Sequence, residues 1–128
     1  MDGVTDQVNI APWLAVRDGR RAVDFYRAAF DATERYQLDG EGGSVVVAQL
    51  AAGGAPFWIQ EDPANAPDPS GRRPVRMILT VADPDAWHAR AVAAGATEVA
   101  AVHEEHGWRT GRVSDVDGHD WEFSRPAR

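Results

Sequence analysis

The chain contains no cysteine. Disulfides and thiolate metal ligands are therefore excluded, and so is a small secreted scaffold held by cross-links; the core has to hold by packing alone. Lysine is missing as well, since all 13 basic residues are arginine. The first 30 residues hold no basic region followed by an apolar stretch, and nowhere do 18 apolar residues run together. Neither a secretory signal nor a membrane-spanning helix is expected, which points to a cytoplasmic protein with no membrane partner. No Gly-rich phosphate loop, nucleophile elbow or Ser/His/Asp constellation is visible, and Gly42-Gly43 and Gly53-Gly54 fit hairpin turns better than nucleotide cradles. Positive charge is also scarce, with 13 basic residues against 20 acidic ones for a net charge of −7. Phosphate backbones are bound mainly by cationic side chains, so no nucleic-acid partner is expected. An acidic surface keeps a protein soluble and attracts small cations.

What is present suffices for one compact domain over residues 1–128, with 44% hydrophobic side chains to build its core. The chain reads as a tandem repeat. Leu14-Ala-Val16-Arg-Asp18 and Leu79-Thr-Val81-Ala-Asp83 are both an apolar strand running into a helix N-cap, each followed by an amphipathic helix. One helix ends near Phe30, with Ala22, Val23, Tyr26, Ala29 and Phe30 on one face; the other runs from Pro84 to Gly95 with Trp87, Ala91 and Ala94 together. Strands follow near Glu34 to Leu38, Ser44 to Leu50 and Ala55 to Glu61, and in the second half near Val75 to Val81, Glu98 to Val102, Arg109 to Asp115 and Asp120 to Arg125. The first repeat spans about 8–62 and the second about 75–126. Between them, residues 63–74 carry four prolines among Asn, Asp, Ser and Gly and suit a linker. The expected fold is α+β, two tandem βαβββ modules forming a curved mixed sheet around a concave pocket.

The opening Trp13-Leu-Ala-Val-Arg-Asp18 with Ala22-Val-Asp-Phe-Tyr-Arg-Ala-Ala-Phe30, and the ending Gly107-Trp-Arg-Thr-Gly-Arg-Val-Ser-Asp115-Val-Asp-Gly-His-Asp-Trp-Glu-Phe123, resemble the vicinal-oxygen-chelate superfamily. That group includes glyoxalases, bleomycin-resistance proteins and extradiol dioxygenases. The resemblance covers nearly the whole chain and speaks for fold more than function, since one fold hosts lyases, isomerases, dioxygenases and drug-sequestering proteins.

Strand alternation separates a helix-packed face from a pocket face. Ile10, Leu14 and Val16, Phe57 and Ile59, Met77, Leu79 and Val81, and Trp121 and Phe123 are expected to pack inward. That leaves Ala11 and Trp13, Trp58 and Gln60, Arg76, Ile78 and Thr80, and Asp120, Glu122 and Ser124 for the pocket. The resemblance implies metal ligands on the first, fourth, fifth and eighth strands, which here fall on Ala11, Gln60, Arg76 and Glu122. Alanine has no donor atom and a guanidinium does not ligate, so the usual metal site is expected to be missing and no cofactor is assigned. Arg76 and Glu122 are expected to form a buried ion pair where relatives hold a metal. His103-Glu-Glu-His106 is the densest cluster of ligand types, but its two histidines lie three apart ahead of a strand and read as a polar loop. His88 is expected on a solvated helix face and His119 in a hairpin turn, neither with a partner.

Of five tryptophans, Trp87 and Trp121 suit the core, while Trp13, Trp58 and Trp108 suit the pocket or an interface. With Gln60, Arg76 and Glu122 they would make an aromatic cleft for a small aromatic or cationic organic molecule, bound without metal. By resemblance this is a bleomycin-resistance-like function in a homodimer. The alternatives are a lyase, epimerase or dioxygenase using Glu122 with a divalent metal, and a catalytically idle domain that binds another protein.

Overall fold

Helix and strand signals in the sequence recur as one pattern used twice. The computed structural model describes residues 7–66 and 75–127. The first half runs β1 (Trp13–Val16), α1 (Gly19–Phe30), β2 (Thr33–Asp39), β3 (Val45–Ala52) and β4 (Ala55–Glu61). The second runs β5 (Arg76–Thr80), α2 (Pro84–Ala93), β6 (Thr97–Glu105), β7 (Trp108–Ser114) and β8 (Asp120–Pro126). Each half forms its own sheet, in the orders β1-β4-β3-β2 and β5-β8-β7-β6. In both, the strand before the helix lies parallel to the last strand and the other pairs are antiparallel. Of the expected linker, 67–74 lies outside the described residues, and 62–66 form a turn closed by Asn65 N–H donating to the Asp62 carbonyl at 2.9 Å.

Both helices start where a side-chain oxygen takes up an orphaned N–H. Asp18 accepts from Arg21 N and Asp83 from Ala86 N, each at 3.1 Å, and Pro84 opens α2 where no N–H is needed. Gly19 opens α1 for a different reason. A Cβ there would lie 1.9 Å from the Val45 carbonyl oxygen, so only glycine lets the helix approach β3 this closely.

The apolar faces of both halves merge into one core. α1 packs on β3 and β4, α2 packs on β6, β7 and β8, and the helices touch each other. Phe30 meets Trp121 at 4.8 Å between ring centroids, Tyr26 meets Phe57 at 5.0 Å, and Trp87 lies 6.2 Å from Phe30. The sheets also meet directly in this core, where Phe57 of β4 lies 5.2 Å from Trp121 of β8, and each sheet turns its other face away from it.

Two expectations about packing are corrected here. Ile10 is 96% exposed, because β1 is an edge strand whose pairing with β4 starts at Trp13; the Pro12 carbonyl accepts from Trp58 N, but proline has no N–H to return. His88 is buried at 6% exposure and partnered, its Nε2 lying 2.7 Å from Glu98 Oε2. The cause is on β7, where the bare Gly111 leaves room for the imidazole: a Cβ there would meet His88 Nδ1 at 2.7 Å.

Candidate functional site

The outer face of the first sheet is aromatic. Register aligns Trp13 with Trp58, Trp58 with Gln49 and Gln49 with Tyr36, so four strands bring these side chains to one surface. Trp13 and Trp58 stack with centroids 5.7 Å apart and planes inclined by 27°, and Tyr36 stands 6.0 Å from Trp58. Trp13 Nε1 donates to Gln60 Oε1 at 3.0 Å, which fixes the indole's orientation. Despite these contacts Trp13 remains 54% exposed and Tyr36 48%.

The outer face of the second sheet is charged. A cavity of about 430 Å³ is lined by Arg76 from β5, His103 and Glu105 from β6, Trp108, Thr110 and Arg112 from β7, and Glu122 from β8, with Ala100, His106 and Gly111. Arg76 Nη1 lies 3.4 Å from Glu122 Oε1, so the expected pair forms. It is not buried, however: Arg76 is 44% exposed and Glu122 18%, because β5 is an edge strand and its arginine reaches in from the rim. Arg112 lies directly across from Glu122.

The six residues named from the sequence therefore separate into two groups. Trp13, Trp58 and Gln60 meet on one sheet, and Arg76, Trp108 and Glu122 line the cavity on the other. The cavity that holds Arg76, Trp108 and Glu122 takes in none of the first three, and Trp13 lines a different one with Leu14, Val75, Met77 and His119. Tyr36 and Arg112 were missed. The alternation that places Val113 in the core puts Arg112 on the pocket face, whereas the mostly polar run of β2 gives no such signal for Tyr36.

His103, Glu104 and Glu105 extend β6 instead of forming a loop, and His106 takes the hairpin with φ 51°. His103 Nδ1 lies 2.7 Å from the Ala101 carbonyl oxygen and Nε2 2.7 Å from Glu105 Oε1. The carbonyl first, and then Glu105, hold the imidazole above its ordinary pKa, while His103 holds Glu105 below the usual carboxylate value.

A divalent ion does not suit the residues at the inferred ligand positions. Ala11 precedes β1 and has no donor, the Oε1 of Gln60 is taken by Trp13, and Glu122 is taken by Arg76. Among the described residues no three His, Asp or Glu side chains gather closely enough to hold a metal ion. No helix among them is long and apolar enough to cross a membrane.

The turn between β7 and β8 joins the halves. Asp117 Oδ1 accepts from Arg17 N at 2.9 Å and from its Nε at 3.3 Å, and the same guanidinium donates to the Val116 carbonyl at 2.7 Å. His119 sits in the hairpin as expected, but it has a partner: its Nε2 lies 2.8 Å from the Ala15 carbonyl oxygen.

Comparison with known proteins agrees with this architecture. The family model described as the Glyoxalase/Bleomycin resistance protein/Dioxygenase superfamily matches residues 6–123. An uncharacterized protein of Mycobacterium bovis is 37% identical over 127 residues, covering 93% of this chain and 84% of its own length. One from Mycobacterium tuberculosis is equally similar over 93% and 75%. Among solved structures, TioX from Micromonospora sp. ML1 superposes with a TM-score of 0.74 at 28% identity, covering 94% of this chain and 99% of that one. The fosfomycin resistance protein FosX from Listeria monocytogenes shares the fold, with a TM-score of 0.69 at 19% identity over 97% and 93%. The chain belongs to the glyoxalase, bleomycin-resistance protein and dioxygenase superfamily.

Proposed function

We propose that this protein binds a small, planar aromatic molecule without a metal, as a homodimer in which each ligand lies between the aromatic face of one chain and the charged cavity of the other. The observation that carries this reading is the stacked Trp13–Trp58 pair standing open on a sheet face. Rigid aromatic rings with ordered neighbours offer a stacking surface at little cost in side-chain entropy. Leaving Trp13, Tyr36 and Leu38 uncovered on one sheet, and Ile78 and Trp108 on the other, exposes apolar area that soluble monomers seldom present. A two-fold axis that set the first face on the second would cover both, because an isologous interface uses each contact twice.

In such a pocket the indoles supply dispersion and π contacts, while Gln60 and the polar cavity floor orient the ligand. Less supports the metal-dependent lyase, epimerase or dioxygenase alternative, because Glu122 is paired with Arg76 and Glu105 with His103 in the same cavity. Titration of planar aromatic compounds against intrinsic tryptophan fluorescence tests the reading. Saturable quenching that disappears in Trp58→Ala is expected. An unaltered titration in that variant would contradict it.

A further inference from the structure

The cavity of the second sheet holds one cation that its own carboxylates do not answer. Glu122, directly opposite Arg112, is engaged by Arg76 at 3.4 Å. Glu105 is engaged by His103 at 2.7 Å. On the same strand but the other face, Arg109 is met by both oxygens of Asp85 at 2.7 Å each, whereas Arg112 has no carboxylate partner among the described residues. The Nε of Arg112 is shut off from solvent and has no hydrogen-bond acceptor among the described residues. That closed Nε is out of a ligand's reach as well; what the cavity offers an incoming acceptor is the outer edge of the Arg112 guanidinium, which lines it without an ion pair to any described carboxylate.

Building on the binding reading above, we propose that Arg112 anchors the ligand through a planar carboxylate, and that the ligand class is an aromatic carboxylic acid. The guanidinium presents parallel N–H donors that match two carboxylate oxygens, and such charge-assisted pairs are stronger than contacts to a neutral carbonyl. Glu122 does not repel the incoming anion strongly because Arg76 already balances its charge. Trp108 at the rim, with the aromatic face of a second copy, is left to hold the ring system. The net charge of −7 favours cations at long range. Beyond about one Debye length that field is screened, and the group at the pocket floor sets selectivity.

Calorimetric titration with 2-naphthoate, 2-naphthamide and 2-naphthylmethylammonium separates the alternatives, since the three share a ring and differ in the head group. Wild type should bind the acid about tenfold more tightly than the amide, and the ammonium most weakly. Arg112→Gln should bring the acid down to about the amide's affinity and cost the amide far less than it costs the acid. Arg112→Lys, which keeps the charge but not the fork, should retain only part of the preference and guards against misfolding of the first variant. Equal affinity for acid and amide in wild type, a preference that survives Arg112→Gln or is undiminished in Arg112→Lys, or tightest binding of the ammonium would each overturn the anion site while leaving aromatic binding intact. Binding of none of the three would overturn the binding reading itself.

Discussion

The phenol of Tyr26 on α1 donates a hydrogen bond to Asp115 Oδ2 just past the end of β7, across 89 positions of chain. The same carboxylate accepts from Trp121 Nε1 at 2.9 Å and from the backbone N–H groups of Asp117 and His119 at 2.9 and 3.0 Å. A buried carboxylate is tolerated when each lone pair is answered, and here the answering groups come from both halves of the repeat. The Asp-x-x-Gly-His-x-Trp-Glu signature thus acts in this chain as a clasp between modules, with Glu122 at its end reaching the cavity.

Removing one donor from that clasp should be milder than removing the acceptor. Tyr26→Phe is expected to cost about 1–2 kcal/mol in urea unfolding, and Asp115→Ala about 3 kcal/mol or more because it strands several buried donors. Burial first, and Asp115 second, raise the Tyr26 pKa well above its ordinary value of 10.0. The unfolded chain therefore loses this proton at lower pH than the folded one. The stabilisation is complete below the ordinary tyrosine value and drains away as pH climbs above it, and the Tyr26→Phe variant should lose less stability over that alkaline range.

Gly19→Ala is expected to destabilise by about 3 kcal/mol or more, a larger loss than glycine-to-alanine changes normally bring. The added methyl would face the Val45 carbonyl, which is backbone in a paired strand and has no rotamer to escape into. Thermal denaturation followed by circular dichroism reads the loss. A variant as stable as wild type would mean that α1 and β3 are not held this close.

Arg76→Ala should change stability by less than about 1 kcal/mol, since the pair with Glu122 is open to water at the arginine. Urea unfolding of Arg76→Ala, Glu122→Gln and the double variant isolates the coupling. A coupling above about 2 kcal/mol would show that the pair is dry in the assembled protein.

Much of the fold was legible because its signals are local. Asp18 and Asp83 mark helix starts, Phe57, Ile59, Trp121 and Phe123 alternate into the core, and paired glycines mark turns. Alternation also put Trp58 and Gln60 on β4 and Glu122 on β8 opposite the buried Phe57, Ile59, Trp121 and Phe123, whereas Ser124, expected in the pocket, is buried at 3% exposure. Alternation could not say which sheet faces meet, because the packing of modules is set by the shared core and not by any one strand. That is why six residues expected in one cleft occupy two surfaces. His88 was misread for a similar reason: nothing near it in sequence reveals that Gly111 opens a space for its ring.

Light scattering at micromolar concentration should give twice the chain mass of 13.9 kDa. Leu38→Glu, on the aromatic face and 48% exposed, should shift the protein toward monomer without unfolding it. A wild-type monomer would remove the shared pocket.

Complementation tests the shared pocket most directly. Trp58→Ala and Trp108→Ala are purified separately, mixed, dissociated in mild denaturant and allowed to reassociate, and aromatic-ligand sites are counted by calorimetry. Each variant alone should bind poorly, whereas the mixture should recover about one quarter of the wild-type sites, because half the reassorted dimers are mixed and each of those has one intact site. A mixture that binds no better than its components, with heterodimers present by mass spectrometry, would contradict a pocket built from two chains.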